Sequence, residues 1–190
     1  MNTDKHRWPR IVLGVAAFAV ISSWLFAGHG AIAGQAAASK LPATLILVRH
    51  AEKAVEPKAD PVLTLEGEER AKLLAQMLSK AGVTGLYATQ YKRTQLTLKP
   101  LAEMVNLPVT VVNAQDNTAL LKKMEAQAGG VVVIAGHSNT IGPIIEALGG
   151  PKQPDMDERA YDNLFVVTIA KSGQVTVVNL KYGQTALGKM

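Results

Sequence analysis

A three-layer α/β/α sandwich with a mainly parallel central sheet and a C-terminal antiparallel hairpin is the fold class predicted for this 190-residue chain. Three observations predict it. Short apolar runs alternate with longer amphipathic ones over residues 43–190, the pattern of a layered α/β domain. The short runs are apolar at successive positions, as strands covered on both faces require. Near the C-terminus, two segments of alternating character flank Lys171-Ser172-Gly173, as in a hairpin.

The first expected strand is Thr44 to Val48, followed by Gly85 to Ala88, Val109 to Val112 and Val131 to Ala135. Helices are expected between and after them. The stretch from Glu66 to Ala81 places Ala71, Leu74, Ala75 and Leu78 on one face, and Lys92 to Val105, Thr118 to Ala128 and Thr140 to Leu148 follow. Gly82 and Gly149 are read as helix stops. The hairpin strands are Leu164 to Ala170 and Gln174 to Leu180. In such a sheet ligands bind beyond the carboxyl ends of the strands, so the polar residues there are the candidates for function.

Residues 1–33 read as an address. Lys5, Arg7 and Arg10 precede an apolar run over residues 11–27, and small residues follow. Ala31-Ile32-Ala33 and Ala36-Ala37-Ala38 both have the form of a signal-peptidase site. The segment is either a cleaved signal peptide or an uncleaved anchor in the inner membrane held by residues 11–27, with Arg10 on the cytoplasmic side. Residues 34–42 are a small-residue linker. Either way the domain of residues 43–190 is expected outside the cytoplasm, periplasmic or secreted, touching a membrane only through the N-terminal segment.

The chain has no cysteine, which excludes disulfides, thiolate zinc sites, cysteine nucleophiles and a lipoprotein anchor. Its net charge of +5 is partly the N-terminal cluster. With only three Phe, four Tyr and two Trp, the chain lacks the basic stripe interleaved with aromatics that a nucleic-acid surface shows. A small phosphorylated substrate accounts for the charge better.

Of the four histidines, only His50 and His137 fall in the folded domain, and each follows an expected strand end: Val48-Arg49-His50-Ala51 and Ala135-Gly136-His137-Ser138. Arg93 opens the helix after the second strand, at the same sheet edge. This set suits phosphoryl transfer, in which charge on the equatorial oxygens is neutralised while a nucleophile attacks in line. Arg49 and Arg93 can grip phosphate in bidentate fashion without a metal or other cofactor. A neutral His50 can take the phosphoryl group, His137 can add a hydrogen bond, and the helix after His137 can add partial positive charge.

These residues resemble the histidine phosphatase (phosphoglycerate mutase-like) superfamily, in a short exported bacterial form. The resemblance rests on Arg49-His50, on Leu63-Thr64-x-x-Gly67-x-x-Arg70-Ala71, on Arg93-Thr94-x-x-Thr97 and on Gly136-His137, in register over about residues 44–182. It implies a phosphate pocket of Arg49, His50, Arg93 and His137, with His50 the nucleophile. Two departures stand out. The first box reads Arg-His-Ala where the family has Arg-His-Gly, and residues 98–130 contain nothing like the mutase branch's Glu-Arg-x-x-Gly acid. Asp60, in the loop before Leu63, is the first candidate for the general acid, followed by Glu52 and Asp162. Lacking the mutase insertion, the chain is expected to hydrolyse a phosphate monoester, in keeping with its similarity to envelope lipopolysaccharide core heptose phosphatases.

Other classes fit less well. Gly136-His137-Ser138-Asn139-Thr140 approaches a serine-hydrolase elbow, yet no histidine follows position 137 to complete a triad in that fold's order. A metal hydrolase would need a ligand cluster that the spacing of these residues does not offer. A non-catalytic envelope domain that binds a phosphorylated ligand through the same pocket is the remaining alternative. Substrate choice is assigned to the loops at residues 53–62 and 150–162.

Overall fold

The computed structural model describes residues 41–184. The signal or anchor segment of residues 1–33 and most of the linker lie outside them. Among the described residues no helix is long and apolar enough to cross a membrane.

Six strands and four helices alternate in the order expected. They are β1 (Thr44–Arg49), α1 (Leu65–Leu78), β2 (Val83–Thr89), α2 (Lys92–Val105), β3 (Val109–Val112), α3 (Asn117–Met124), β4 (Val131–Gly136), α4 (Ile141–Ala147), β5 (Asn163–Ile169) and β6 (Val175–Lys181). The sheet order is β3-β2-β4-β1-β5-β6. The first four strands in that order are parallel, while β5 pairs antiparallel with both β1 and β6. The C-terminal hairpin is therefore an extension of the central sheet.

Two apolar layers sandwich the sheet. Ile46 and Val48 of β1 pack with Leu74 and Leu78 of α1 and Leu98 and Leu101 of α2. Leu45 and Leu47 face the opposite side, with Leu120 and Met124 of α3 and Ile141, Ile144 and Ile145 of α4. Successive residues of a strand point to opposite faces, so a strand apolar at every position is one buried twice. The runs in β1 and β4 meet that condition.

Element ends depart from expectation where local hydrogen bonding changes. Helix α1 stops at Leu78, with Ser79 as its C-cap, and the N–H of Ala81 donates to Leu78 O in a tightened turn. Gly82, at φ 68°, belongs to the turn beyond. Helix α3 ends at Met124 and gives way to a 3₁₀ turn over Glu125–Gln127. Strand β2 begins at Val83, two residues early, through an irregularity against β4 between Val83 and Gly85.

The segment leaving β1 is anchored to α1. Thr64 caps α1 by accepting from the Gly67 N–H at 3.2 Å, and the Thr64 N–H donates to Glu52 O at 2.9 Å. Residues 53–63 form an excursion closed at its base by a bridge between Lys53 and Leu63. Arg70, buried on α1, grips the Glu52 carboxylate at 2.8 to 3.0 Å and donates to the carbonyls of Tyr182 and Gln184. Gly67 permits the close approach, because a Cβ there would stand 2.2 Å from Glu52 O. Gly67→Ala should therefore destabilise the protein by about 1–3 kcal/mol, outweighing alanine's helix-propensity advantage of about 1 kcal/mol. Urea unfolding of the two proteins measures this difference, and an unchanged midpoint would contradict the packing.

Candidate active site

The parallel register of β1 and β4 places Arg49 opposite Gly136, and the His50 N–H extends the ladder to Gly136 O at 2.9 Å. The next residue of each strand is thus a histidine. Helix α1 follows β1 on one face of the sheet and α4 follows β4 on the other. A crevice opens between strands whose connections diverge in this way. The ring centroids of His50 and His137 are 5.4 Å apart, at an interplanar angle of 64°.

Arg93 reaches the same place from the first turn of α2. Its Nη2 lies 3.5 Å from His137 Nδ1, and its guanidinium covers the Tyr91 ring at 4.4 Å. The Arg93-Thr94-x-x-Thr97 pattern is explained by the threonines. Thr97 Oγ1 accepts the Ala51 N–H at 2.9 Å and donates to Arg93 O at 2.7 Å, joining the segment after His50 to α2. Thr94 Oγ1 lies 2.9 Å from Thr89 Oγ1, which in turn lies 3.0 Å from His137 Nε2.

Arg49 is 4% exposed, and its Nη1 donates to the carbonyls of Asp157 and Glu158. The Tyr161 ring stacks on its guanidinium at 4.4 Å. The Nε–H groups of both Arg49 and Arg93 are buried and have no hydrogen-bond partner. Each arginine thus keeps one buried Nε–H without an acceptor, and both residues line a cleft of about 430 Å³. The cleft is lined by Arg49, His50, Arg93 and His137 among others, with Gln90, Asn113 and Asn139 contributing amides.

Hydrogen bonding sets the histidine tautomers. His50 Nδ1 is 2.8 Å from Ala51 O, and since a carbonyl only accepts, Nδ1 carries the proton and Nε2 the lone pair. His137 Nδ1 faces a guanidinium, which only donates, so its proton sits on Nε2 and is donated to Thr89 Oγ1. Burial, followed by the charges of Arg49 and Arg93 and by His137, holds the His50 pKa down to about 3, against the raising effect of its bond to Ala51. Burial, Arg93 and Arg49 hold His137 down to about 4.

The structure thus brings Arg49, His50, Arg93 and His137 together. The carboxylates expected as acids sit elsewhere. Asp60 Oδ1 accepts the Lys92 N–H at 2.9 Å, which satisfies one of the free amides at the start of α2. Glu52 is engaged by Arg70, and the nearly buried Asp162 accepts from Lys181 at 2.9 Å. Helix α4 spans only Ile141–Ala147, and its preceding Thr140 accepts the His137 N–H at 2.9 Å. Sequence reasoning passed over Thr89, Tyr91, Tyr161 and the Asp157–Glu158 carbonyls. Only the general assignment of specificity to residues 150–162 pointed towards the last three. Among the described residues, no group of three or more His, Asp or Glu stands close enough together to hold a metal ion.

Comparison with known proteins bears on this geometry. Residues 45–118, which include Arg49, His50 and Arg93, match the model of the histidine phosphatase superfamily, branch 1. Phosphoserine phosphatase 1 of Hydrogenobacter thermophilus is 45% identical over 71 residues, which are 34% of this chain and 34% of that protein. The match thus spans about a third of the relative's length. The solved structure of the protein histidine phosphatase SixA complexed with tungstate aligns with a TM-score of 0.58 at 18% identity, covering 73% of this chain and 96% of that one. Phosphoserine phosphatase from Entamoeba histolytica, in complex with 3-phosphoglyceric acid, gives 0.58 at 15% identity, covering 76% and 98%. At these identities the structural likeness speaks to the fold. Residues 45–118 are thus similar to the histidine phosphatase superfamily, and the chain shares the fold of these two phosphatase structures.

The depressed histidine pKa values carry a stability consequence. Imidazoles of the unfolded chain take up protons near pH 6.5, whereas the folded ones stay neutral down to about 4 for His137 and about 3 for His50. Between those limits the unfolded state binds more protons, so stability falls as pH drops below about 6.5 and continues to fall through the folded values. Urea midpoints measured across this window should decline towards acid, and the decline should be shallower in His137→Gln. An identical slope in the variant would show that His137 is not buried neutral.

Proposed function

We propose that the protein is a metal-independent phosphatase that hydrolyses a phosphate monoester through a phosphohistidine on His50. The observation that carries this reading is the pair of buried, unpartnered Nε–H donors on Arg49 and Arg93, flanking a histidine whose lone pair is on Nε2. Two guanidinium groups supply the positive charge that equatorial phosphoryl oxygens need, and their preset positions avoid reorganisation during the reaction. Similarity to phosphatases in sequence and fold supports the same chemistry.

In the proposed reaction His50 Nε2 attacks phosphorus in line as the bond to the leaving oxygen breaks. His50 Nδ1 keeps its proton and donates a hydrogen bond to Ala51 O, which stabilises the ring as it acquires charge. A bound phosphate dianion offsets the charges of Arg49 and Arg93 that help to hold His137 neutral, so His137 can take a proton and donate it to a phosphoryl oxygen. Water then attacks the phosphohistidine, the P–N bond breaks, and the electron pair returns to Nε2. The basic cluster and the apolar run of residues 11–27 support an exported protein, periplasmic or secreted or held in the inner membrane. Its substrate would then be a phosphorylated component of the cell envelope.

Hydrolysis of p-nitrophenyl phosphate in the presence of chelator tests the reading. Wild type should turn over, and His50→Ala should lose at least about 10³-fold in kcat. Acid quenching during turnover should trap an acid-labile phosphoprotein in the wild type. Inorganic phosphate binding without any turnover would instead favour a domain that holds a phosphorylated ligand.

A further inference from the structure

The phosphatase reading leaves one chemical requirement unmet. An alkoxide is a poor leaving group, so cleavage of an alkyl phosphate needs a proton delivered to the bridging oxygen as the P–O bond breaks. None of the three carboxylates singled out from the sequence is among the residues lining the cleft. Asp60 caps α2, Glu52 is held by Arg70, and Asp162 accepts from Lys181.

Among the described residues that line the cleft, Glu158 is the one that carries a carboxyl group. Its position is tied to the phosphate-binding residues through its own backbone, because its carbonyl accepts from Arg49 Nη1. A neighbouring turn stabilises the segment: Arg159 binds the Asp157 carboxylate through its side chain and its N–H. Tyr161 then stacks on Arg49 and stands 5.9 Å from the His50 ring. The backbone that fixes the guanidinium therefore also sets among the cleft-lining residues an exposed glutamate whose charge acts on Arg49.

We infer that Glu158 is the general acid and base of the reaction, an assignment that rests on the phosphatase reading above. In the first step the lone pair of His50 Nε2 forms the P–N bond, the P–O bond breaks, and the carboxyl proton of Glu158 passes to the departing oxygen. In the second, the Glu158 carboxylate takes a proton from water as that water attacks phosphorus. The P–N bond then breaks, with its electron pair returning to Nε2, and Glu158 is left protonated for the next cycle.

The test compares leaving groups in Glu158→Gln, using the full-length protein in mild detergent. Glutamine keeps the shape and the backbone carbonyl that holds Arg49, but it cannot deliver the proton. With glycerol phosphate, which needs protonation on departure, kcat/KM should fall about 10²–10³-fold. With p-nitrophenyl phosphate, whose anion leaves unaided, the fall should stay below about 10-fold. Inhibition by inorganic phosphate should be unchanged, and Asp60→Asn, which retains an oxygen to cap α2, should hydrolyse both substrates as wild type does. Equal losses on both substrates in Glu158→Gln, or no loss on either, overturn the assignment while leaving the phosphatase reading intact. A wild type inactive on both esters overturns the two together.

Discussion

The parallel pairing of β1 with β4 is the constraint on which the site depends. Because Arg49 lies opposite Gly136, the residue after each is carried to the same height above the sheet, and both are histidine. Because the chain then departs to opposite faces, a gap opens between them. A slip of one residue would turn every side chain of β1 over. It would bury Arg49 differently and separate the two rings, and the doubly apolar packing of β1 resists such a slip.

Around that gap the protein concentrates positive charge in a buried place, an arrangement that disfavours folding when considered alone. Arg49 is held by the Tyr161 ring and the carbonyls of Asp157 and Glu158, and Arg93 by the Tyr91 ring, with no salt bridge from either guanidinium among the described residues. A facing carboxylate would satisfy the guanidinium groups and compete with any anion for them. Carbonyls and π faces hold the cations in place while leaving their net charge available. Burial first, and the same cationic field after it, hold both histidines neutral, so the charges that suit an anion also help to leave His50 Nε2 unprotonated.

Much of this was legible in the sequence. The runs that became β3 and α2 have the bounds that their periodicity predicts, and the four pocket residues follow strand ends or open a helix, where position in the chain implies position in space. Glu158 and Tyr161 were not legible, because they lie in an irregular stretch before β5 whose course depends on tertiary contacts with Arg49. Asp60 shows a different limit. Its place in a loop near the site could be read, but its engagement by the Lys92 amide could not, since that bond joins residues from separate elements. Glu52 was misleading for a similar reason: its partner Arg70 is one turn into a helix whose docking no local pattern specifies.

Strand β1 lies between β4 and β5, although it precedes every other described strand in the chain. Arg70 adds a second tie, joining the loop after His50 to the carbonyls of Tyr182 and Gln184. A growing chain that already contains His50 therefore has no finished site. The central strand gains its first neighbour, β4, 87 positions later and its second, β5, 116 to 124 positions later, and non-local contacts of this kind slow folding. The order of synthesis thus sets the completion of the cleft late: His50 is made early, but its surroundings are completed only near the end of the described chain.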